Sequence, residues 1–168
     1  VICDFTQVTM QQIGADRVAI AGARGRAPTT SYKVSATWLD GYAGMGSFVI
    51  AGRDAARKAR RQGEAVLSKT RRLLQQLGLD DYSSTALQLV GAEALYGEHA
   101  SPGVAQAREV VLRLAVQHPQ RLGVELFSKE FVGAALSMAP GLTGLAPGRP
   151  KVTPVVRLFS FLIDKQQV

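Results

Sequence analysis

Between Gly52 and Leu77 the chain carries one unbroken helical pattern, and no other stretch restricts its fold as strongly. At 100° per residue Ala55, Ala56, Ala59, Val66, Leu67, Thr70, Leu73, Leu74 and Leu77 share one arc, and Lys and Arg residues occupy the opposite side. Gly78 supplies a C-terminal stop. An amphipathic helix of this length has to lay its apolar stripe on another layer, so the rest of the chain must furnish a sheet or further helices.

The flanking sequence furnishes strands. Asp4 to Met10 and Arg17 to Ala21 have period-two character and are joined by a Gly14/Asp16 turn, which predicts an antiparallel pair. Tyr32, Val34, Ala36 and Trp38 alternate with polar residues, and Asp40-Gly41 then precedes a run from Gly46 to Ala51. This predicts a second hairpin with Trp38 on its buried face. Beyond the helix, Thr85 to Val90 and Glu109 to Val116 read as strands separated by a polar loop. Pro119 suits the first turn of a second helix, which sends Leu122, Leu126, Phe127, Phe131, Ala134 and Ala135 to the core and ends near Met138. Val155 to Ile163 closes the chain as a strand.

From Ser47 onward the order is strand, helix, strand, strand, helix, strand. It predicts an α+β fold of the ferredoxin-like split βαβ type, an antiparallel sheet with two helices on one face, preceded by N-terminal β-hairpins. With 168 residues and 46% apolar content, a single domain is expected, residues 1–51 forming hairpins and 52–168 completing the βαββαβ unit. The opening on Val1 fits a C-terminal domain excised from a longer polypeptide. No window reaches eighteen consecutive apolar residues and no basic-then-apolar leader is present, so no membrane span and a cytoplasmic setting are expected. Cys3 is the sole cysteine, which excludes an internal disulfide and a cysteine metal site.

The net charge is +7 and the pI near 10.0. Eight Lys or Arg residues between Gly52 and Leu77 against Asp54 and Glu64 place +6 of that +7 on the first helix. Such a face could track a nucleic-acid backbone. No aromatic residue lies between Phe48 and Tyr82 to stack on bases, which favours a solvated outer face.

Two stretches have the chemistry of a binding site. In Gly22-Ala23-Arg24-Gly25-Arg26-Ala27-Pro28 two cations alternate with glycine, a spacing that lets guanidinium groups and a backbone N–H converge on a phosphate or carboxylate, or else makes a solvated turn. From Met138 to Pro154 four prolines and three glycines predict a long loop, in which Gly141 and Gly144 permit close backbone approach and Arg149 and Lys151 stand at the far end. It lacks the Gly-Lys-Ser/Thr ending of a P-loop. Glu98, His99 and Ser101 are neighbours in a loop but form no triad by sequence, and His118 before Pro119 sits at a helix start. Asp80-Asp81 suits a turn after the helix stop. Two histidines without a cysteine partner do not make a zinc site.

Together Asp4-Phe5-Thr6, Gly14-Ala15-Asp16-Arg17-Val18, Gly22-Ala23-Arg24-Gly25-Arg26, Lys33-Val34, Asp40-Gly41-Tyr42 with Gly44 and Gly46, Ala51-Gly52 with Ala55, Leu89-Val90-Gly91, Leu95-Tyr96-Gly97 and the Gly141/Gly144 loop resemble the C-terminal portion of the acyclic terpene utilisation protein A (AtuA-like) family. The resemblance spans nearly the whole chain. It implies a larger preceding domain and a place in bacterial breakdown of citronellol- or geraniol-type terpenes, a route through acyl-CoA intermediates and a biotin-dependent carboxylation. Leu142-Thr143 and Pro147-Gly148-Arg149-Pro150 depart from a more continuous glycine run in the family.

The expectation is therefore an accessory domain that helps bind an anionic acyl or acyl-CoA-type ligand at an interface with an N-terminal domain. Arg24, Gly25, Arg26, Gly141, Gly144 and Arg149 are the candidate ligand-binding residues. A structural or homo-oligomerisation domain is the competing reading, and a nucleic-acid module the third. The residues name no catalytic group, reaction, cofactor or metal.

Overall fold

A computed structural model describes residues 3–144 and 148–168; Val1 and Pro147 lie outside the described residues. The fold is α+β, with two helices and mostly antiparallel sheets. The chain divides into two compact units, one of Val1–Trp38 with Leu158–Val168 and one of Leu39–Arg157. The division falls within two long strands, β5 (Ser31–Ala51) and β9 (Thr153–Asp164).

In the first unit β1 (Cys3–Asp4) pairs with β4 (Arg24–Gly25), and β2 (Thr9–Gly14) with β3 (Arg17–Ala21), both antiparallel. The expected pair is thus real but shifted. Its first strand starts at Thr9 rather than Asp4, and Asp16 at φ 58° turns the chain. Gly22, at φ +85°, packs so close to Gln7 that a Cβ there would lie 2.2 Å from the Gln7 carbonyl oxygen. Among the described residues of this unit none is buried, and Trp38 is 52% exposed. The expectation of a buried Trp38 therefore fails, since none of the described residues covers enough of it.

The second unit carries the core. Helix α1 (Ala55–Gln76) and helix α2 (Arg121–Ser137) pack on each other and on β7 (Glu109–His118), and α1 also meets β6 (Ser84–Val90). The sheet order is β6-β7-β5-β8, where β8 is Leu142–Gly144, and β9 also pairs with β5. Alternate residues of β7, Val110, Leu112, Leu114 and Val116, meet Phe48 and Ile50 of β5 and Val124, Phe127 and Phe131 of α2 in one cluster. The α1 stripe follows the expected periodicity at Ala55, Ala59, Val66, Leu67, Thr70 and Leu74, with Gln62 and Gly63 added, while Ala56 and Leu73 are half-buried and Leu77, expected inside, is 56% exposed. A Cβ on Gly63 would lie 2.6 Å from Leu87, so glycine sets how close α1 comes to the sheet. Gln62 donates to the Ala134 carbonyl and accepts from the Ala139 N–H, tying α1 to the end of α2.

Helix α1 stops as its sequence predicts. Gly78 at φ 68° lets its own N–H reach Gln75 and that of Leu79 reach Leu74, the two bonds of a Schellman motif. In α2, Val124 takes a core position, and Leu122, expected inside, is 45% exposed.

Two further expectations are corrected. Asp40-Gly41 does not separate two strands: β5 runs on for 21 residues, and Tyr42 pairs with His118 directly after Gly41. Gly41 takes φ +78° within the strand, where a Cβ would lie 2.6 Å from the His118 carbonyl oxygen. Its conformational freedom serves a close strand crossing instead of a reverse turn. The segment after α2 is not wholly a loop, because β8 pairs Leu142, Thr143 and Gly144 with Ile50, Val49 and Phe48.

Candidate functional site

The Arg24 to Arg26 segment is a paired strand and its exit. Arg24 lies opposite Asp4 and Gly25 opposite Cys3. The Arg26 guanidinium donates to Asp4 Oδ2 at 3.1 Å, and Asp4 Oδ1 accepts from the Thr6 hydroxyl at 2.7 Å and the Thr6 N–H at 3.0 Å. These bonds, the Thr6 hydroxyl first, then the Thr6 N–H and Arg26, hold the Asp4 carboxyl below the ordinary aspartate range. A carboxyl depressed in this way favours the folded strand pair above its unfolded pKa and loses that contribution as pH falls through the folded one. An NMR titration should put the Asp4 midpoint below that of an unstructured aspartate, with Thr6→Val raising it more than Arg26→Ala. A midpoint at the unstructured value would remove the hydrogen-bonded arrangement. A Cβ on Gly25 would meet nothing within 4 Å, so packing does not demand glycine there.

A second group of the candidate residues lies in the other unit, around a cleft of about 630 Å3. That volume suits a small molecule. One wall is the edge of β5 at Gly44 to Ser47. Phe131, Val132 and Ala135 of α2 form another, and Gly144, Arg149, Pro150 and Lys151 bound the mouth. The cleft opens where β8 stops at Phe48 and before the point where the Thr153 hydroxyl donates to the Ala43 carbonyl. The Ser128 hydroxyl fixes the mouth by donating to the Pro150 carbonyl at 2.7 Å.

Gly144 and Arg149 are brought together here, but Gly141 is not. Gly141 sits at φ +79°, its carbonyl accepts from the Ala51 N–H at 2.9 Å, and a Cβ would lie 2.5 Å from the Ala51 carbonyl oxygen. It docks β8 on β5. Lys58 completes that junction by donating to the Ala51 and Pro140 carbonyls.

The cleft also contains residues that sequence reasoning did not assign to a site. Gly44 and Gly46 occupy alternate positions of one strand, and a Cβ on either would strike α2, at 2.7 Å from Val124 and 2.5 Å from Phe131. Two glycines at i and i+2 inside an otherwise apolar strand signal close approach, and that was the usable clue. Phe131 stacks on Phe48 with ring centroids 4.0 Å apart and planes 3° apart. Among the described residues lining the cleft the charged groups are both cations, Arg149 and Lys151, and none is Asp, Glu, His or Cys. The surroundings are suited to holding an apolar chain with an anionic end, and they supply no acid–base pair.

The other chemistry-bearing residues have structural employment. His118 is 1% exposed, with Nδ1 accepting from the Gln120 N–H at 2.9 Å and Nε2 donating to the Asp80 carbonyl at 3.0 Å. Ser101 donates its N–H to Glu93, while Glu98 and His99 lie in a short 3-10 helix, Gly97–His99. Asp81 accepts from Arg71 and from the Tyr82 N–H. Burial pushes the Tyr82 phenol up, and its hydroxyl has no hydrogen-bond partner among the described residues; the neighbouring Thr70 hydroxyl donates to the Leu67 carbonyl. On α1, Arg57 pairs with Asp54, Lys69 with Glu130 and Arg71 with Asp81. With Lys58 committed to carbonyls, half of the eight cations have partners within the unit, and all but Lys58 remain exposed. Among the described residues no cluster of three or more His, Cys, Asp or Glu could hold a metal ion, and no helix is long and apolar enough to cross a membrane.

The family model described as "Acyclic terpene utilisation family protein AtuA" matches residues 1–168. No curated protein and no solved structure matches the chain.

Proposed function

This chain belongs to the acyclic terpene utilisation AtuA family, and we propose that its helix-bearing unit is a ferredoxin-like accessory module that binds an anionic acyl ligand of the acyl-CoA kind. Membership is consistent with a role in acyclic terpene utilisation. The ferredoxin-like reading is supported by β7 lying between β5 and β6 and antiparallel to both, with α1 connecting those two outer strands.

The observation that carries the ligand reading is the lining of the cleft, apolar along Gly46, Phe48, Phe131 and Ala135 and cationic at Arg149 and Lys151. An apolar acyl chain gains by leaving water along such a wall, and a carboxylate or phosphate at its end gains charge-assisted hydrogen bonds. The anion contact falls to Arg149 and Lys151 in this reading, because they share a cavity, whereas Arg26 is already paired with Asp4.

Calorimetric titration with a branched-chain acyl-CoA, CoA alone and the free branched acid tests the proposal. Binding of the acyl-CoA should weaken about tenfold or more in the Arg149→Ala, Lys151→Ala double variant. Arg24→Ala with Arg26→Ala should leave it unchanged. Equal affinity in the wild type and the Arg149/Lys151 variant would overturn it, as would dependence on Arg24 and Arg26 alone.

A further inference from the structure

We propose that the connection between β6 and β7, with the adjoining part of α1, forms a second small-molecule site, one for a nucleoside diphosphate. β6 and β7 are antiparallel neighbours, paired as far as Val90 with Val111, and such a hairpin closes with about two to five residues. Here residues 91–108 intervene, and the 3-10 turn Pro102–Gln106 within them packs on α1. A connection longer than its strands require commonly carries a binding function.

Two cavities lie between these elements, and Ala105 lines both. The first, of about 430 Å3, has aliphatic walls from Leu87, Leu89, Ala92 and Ala100 beside Arg57 and Arg60. The second, of about 470 Å3, is lined by Gly52, Arg53, Asp54, Gln106 and Arg108. Each volume suits a small molecule rather than a bare anion. No residue of either cavity lines the cleft at Gly46 and Phe131, so the site is separate from the one proposed for an acyl ligand.

Charge and shape select the ligand. Asp54 holds Arg57 at 2.9 Å and Glu93 Oε2 accepts the Ser101 N–H at 2.7 Å, so both acids of the lining are already bonded. Arg53, Arg60 and Arg108 are exposed, and among the described residues none has an ion-pair partner. Guanidinium groups take phosphate oxygens through paired N–H donors, and a diphosphate has oxygens for more than one of them. A bare phosphate or carboxylate would leave the aliphatic slot empty. A nucleoside fills that slot while its phosphates reach past Ala105 to Arg53 and Arg108. Asp54 and Glu93, at φ 58° and 50°, are two of the three non-glycine residues with positive φ among the described residues. Backbone held in this way gathers at ligand sites.

Calorimetric titration of the whole chain with ADP, GDP, UDP and pyrophosphate should show a nucleoside diphosphate binding about tenfold or more tightly than pyrophosphate. Arg60→Ala with Arg108→Ala should weaken that binding about tenfold or more. Ala105→Leu, at an exposed position, should weaken it comparably without changing any charge. Arg61→Ala with Arg72→Ala removes as much charge from outside both cavities and should leave the affinity within about threefold. Arg149→Ala with Lys151→Ala should also leave it unchanged, which separates failure of this site from failure of the acyl cleft. Absence of binding by all three nucleotides, pyrophosphate binding as tight as theirs, wild-type affinity in Ala105→Leu, or an equal loss in either control variant would each overturn the proposal.

Discussion

Replacing His118 with alanine should lower the stability of the helix-bearing unit by about 3–5 kcal/mol, read as a shift of the urea midpoint followed by far-ultraviolet circular dichroism. The ring is buried, bonded at both nitrogens, and set edge-on to Tyr82 at 6.1 Å between centroids. Its removal leaves a cavity and strands two backbone groups, the Gln120 N–H that opens α2 and the Asp80 carbonyl. Each effect alone costs a few kcal/mol at most, and here the cavity and the lost bonds combine. A loss below about 1 kcal/mol would mean that water or repacking replaces both bonds.

Gly123 supplies a check on that argument through its sign. A Cβ there would lie 2.4 Å from the His118 ring, so Gly123→Ala in the wild type should cost about 1–3 kcal/mol by overpacking. In the His118→Ala background the clash vanishes, and alanine, the better helix former by about 1 kcal/mol, should become stabilising. The pair would then show a coupling that independent sites do not.

The parts of the fold that are legible in the sequence are those whose signal is local. Helix α1 is written in its 3.6-residue stripe and Gly78 stop, and β6, β7, α2 and β9 in short patterns bounded by Gly, Pro and polar residues. What escapes depends on residues far apart in the chain. Asp40-Gly41 has turn composition, yet β7 pairs across it and keeps β5 continuous. Leu142-Thr143-Gly144 has no strand signature, and becomes a strand because β5 offers it an edge. Trp38 alternates correctly for burial but among the described residues finds no layer to be buried against.

The candidate site divides in the same way. Gly144 and Arg149 are identifiable as loop residues with binding chemistry, and the fold does gather them at one cleft. Phe131 reads as core, which it is at 3% exposure, but one side of its environment is also the cleft wall. Periodicity tells which helix face is inward and cannot tell whether the space it faces is filled. Gly44 and Gly46 are meaningful only once α2 is known to cross them.

That crossing makes Gly46→Val the substitution in which stability and ligand binding should fall together. Valine suits a strand better than glycine, by up to about 1 kcal/mol. Against this, the first atom of its side chain would lie 2.5–2.8 Å from three atoms of the Phe131 ring, and its methyl groups reach further. Phe131 cannot retreat into the core, because Phe48 is stacked on it and Phe127 is 5.6 Å away between centroids. Its remaining direction is the cleft. Overpacking of this kind costs about 1–3 kcal/mol or somewhat more, which outweighs the strand preference, so a net loss of about 2 kcal/mol is expected. The displaced ring should also occlude the acyl-chain wall and weaken acyl-CoA binding without altering any weak affinity for CoA alone. Shortening the ring in Gly46→Val, Phe131→Leu should recover most of the stability, since the two changes share one volume. If Gly46→Val is neutral or stabilising, or if Phe131→Leu fails to relieve it, the glycine does not set the approach of α2 and the cleft wall is not built as described.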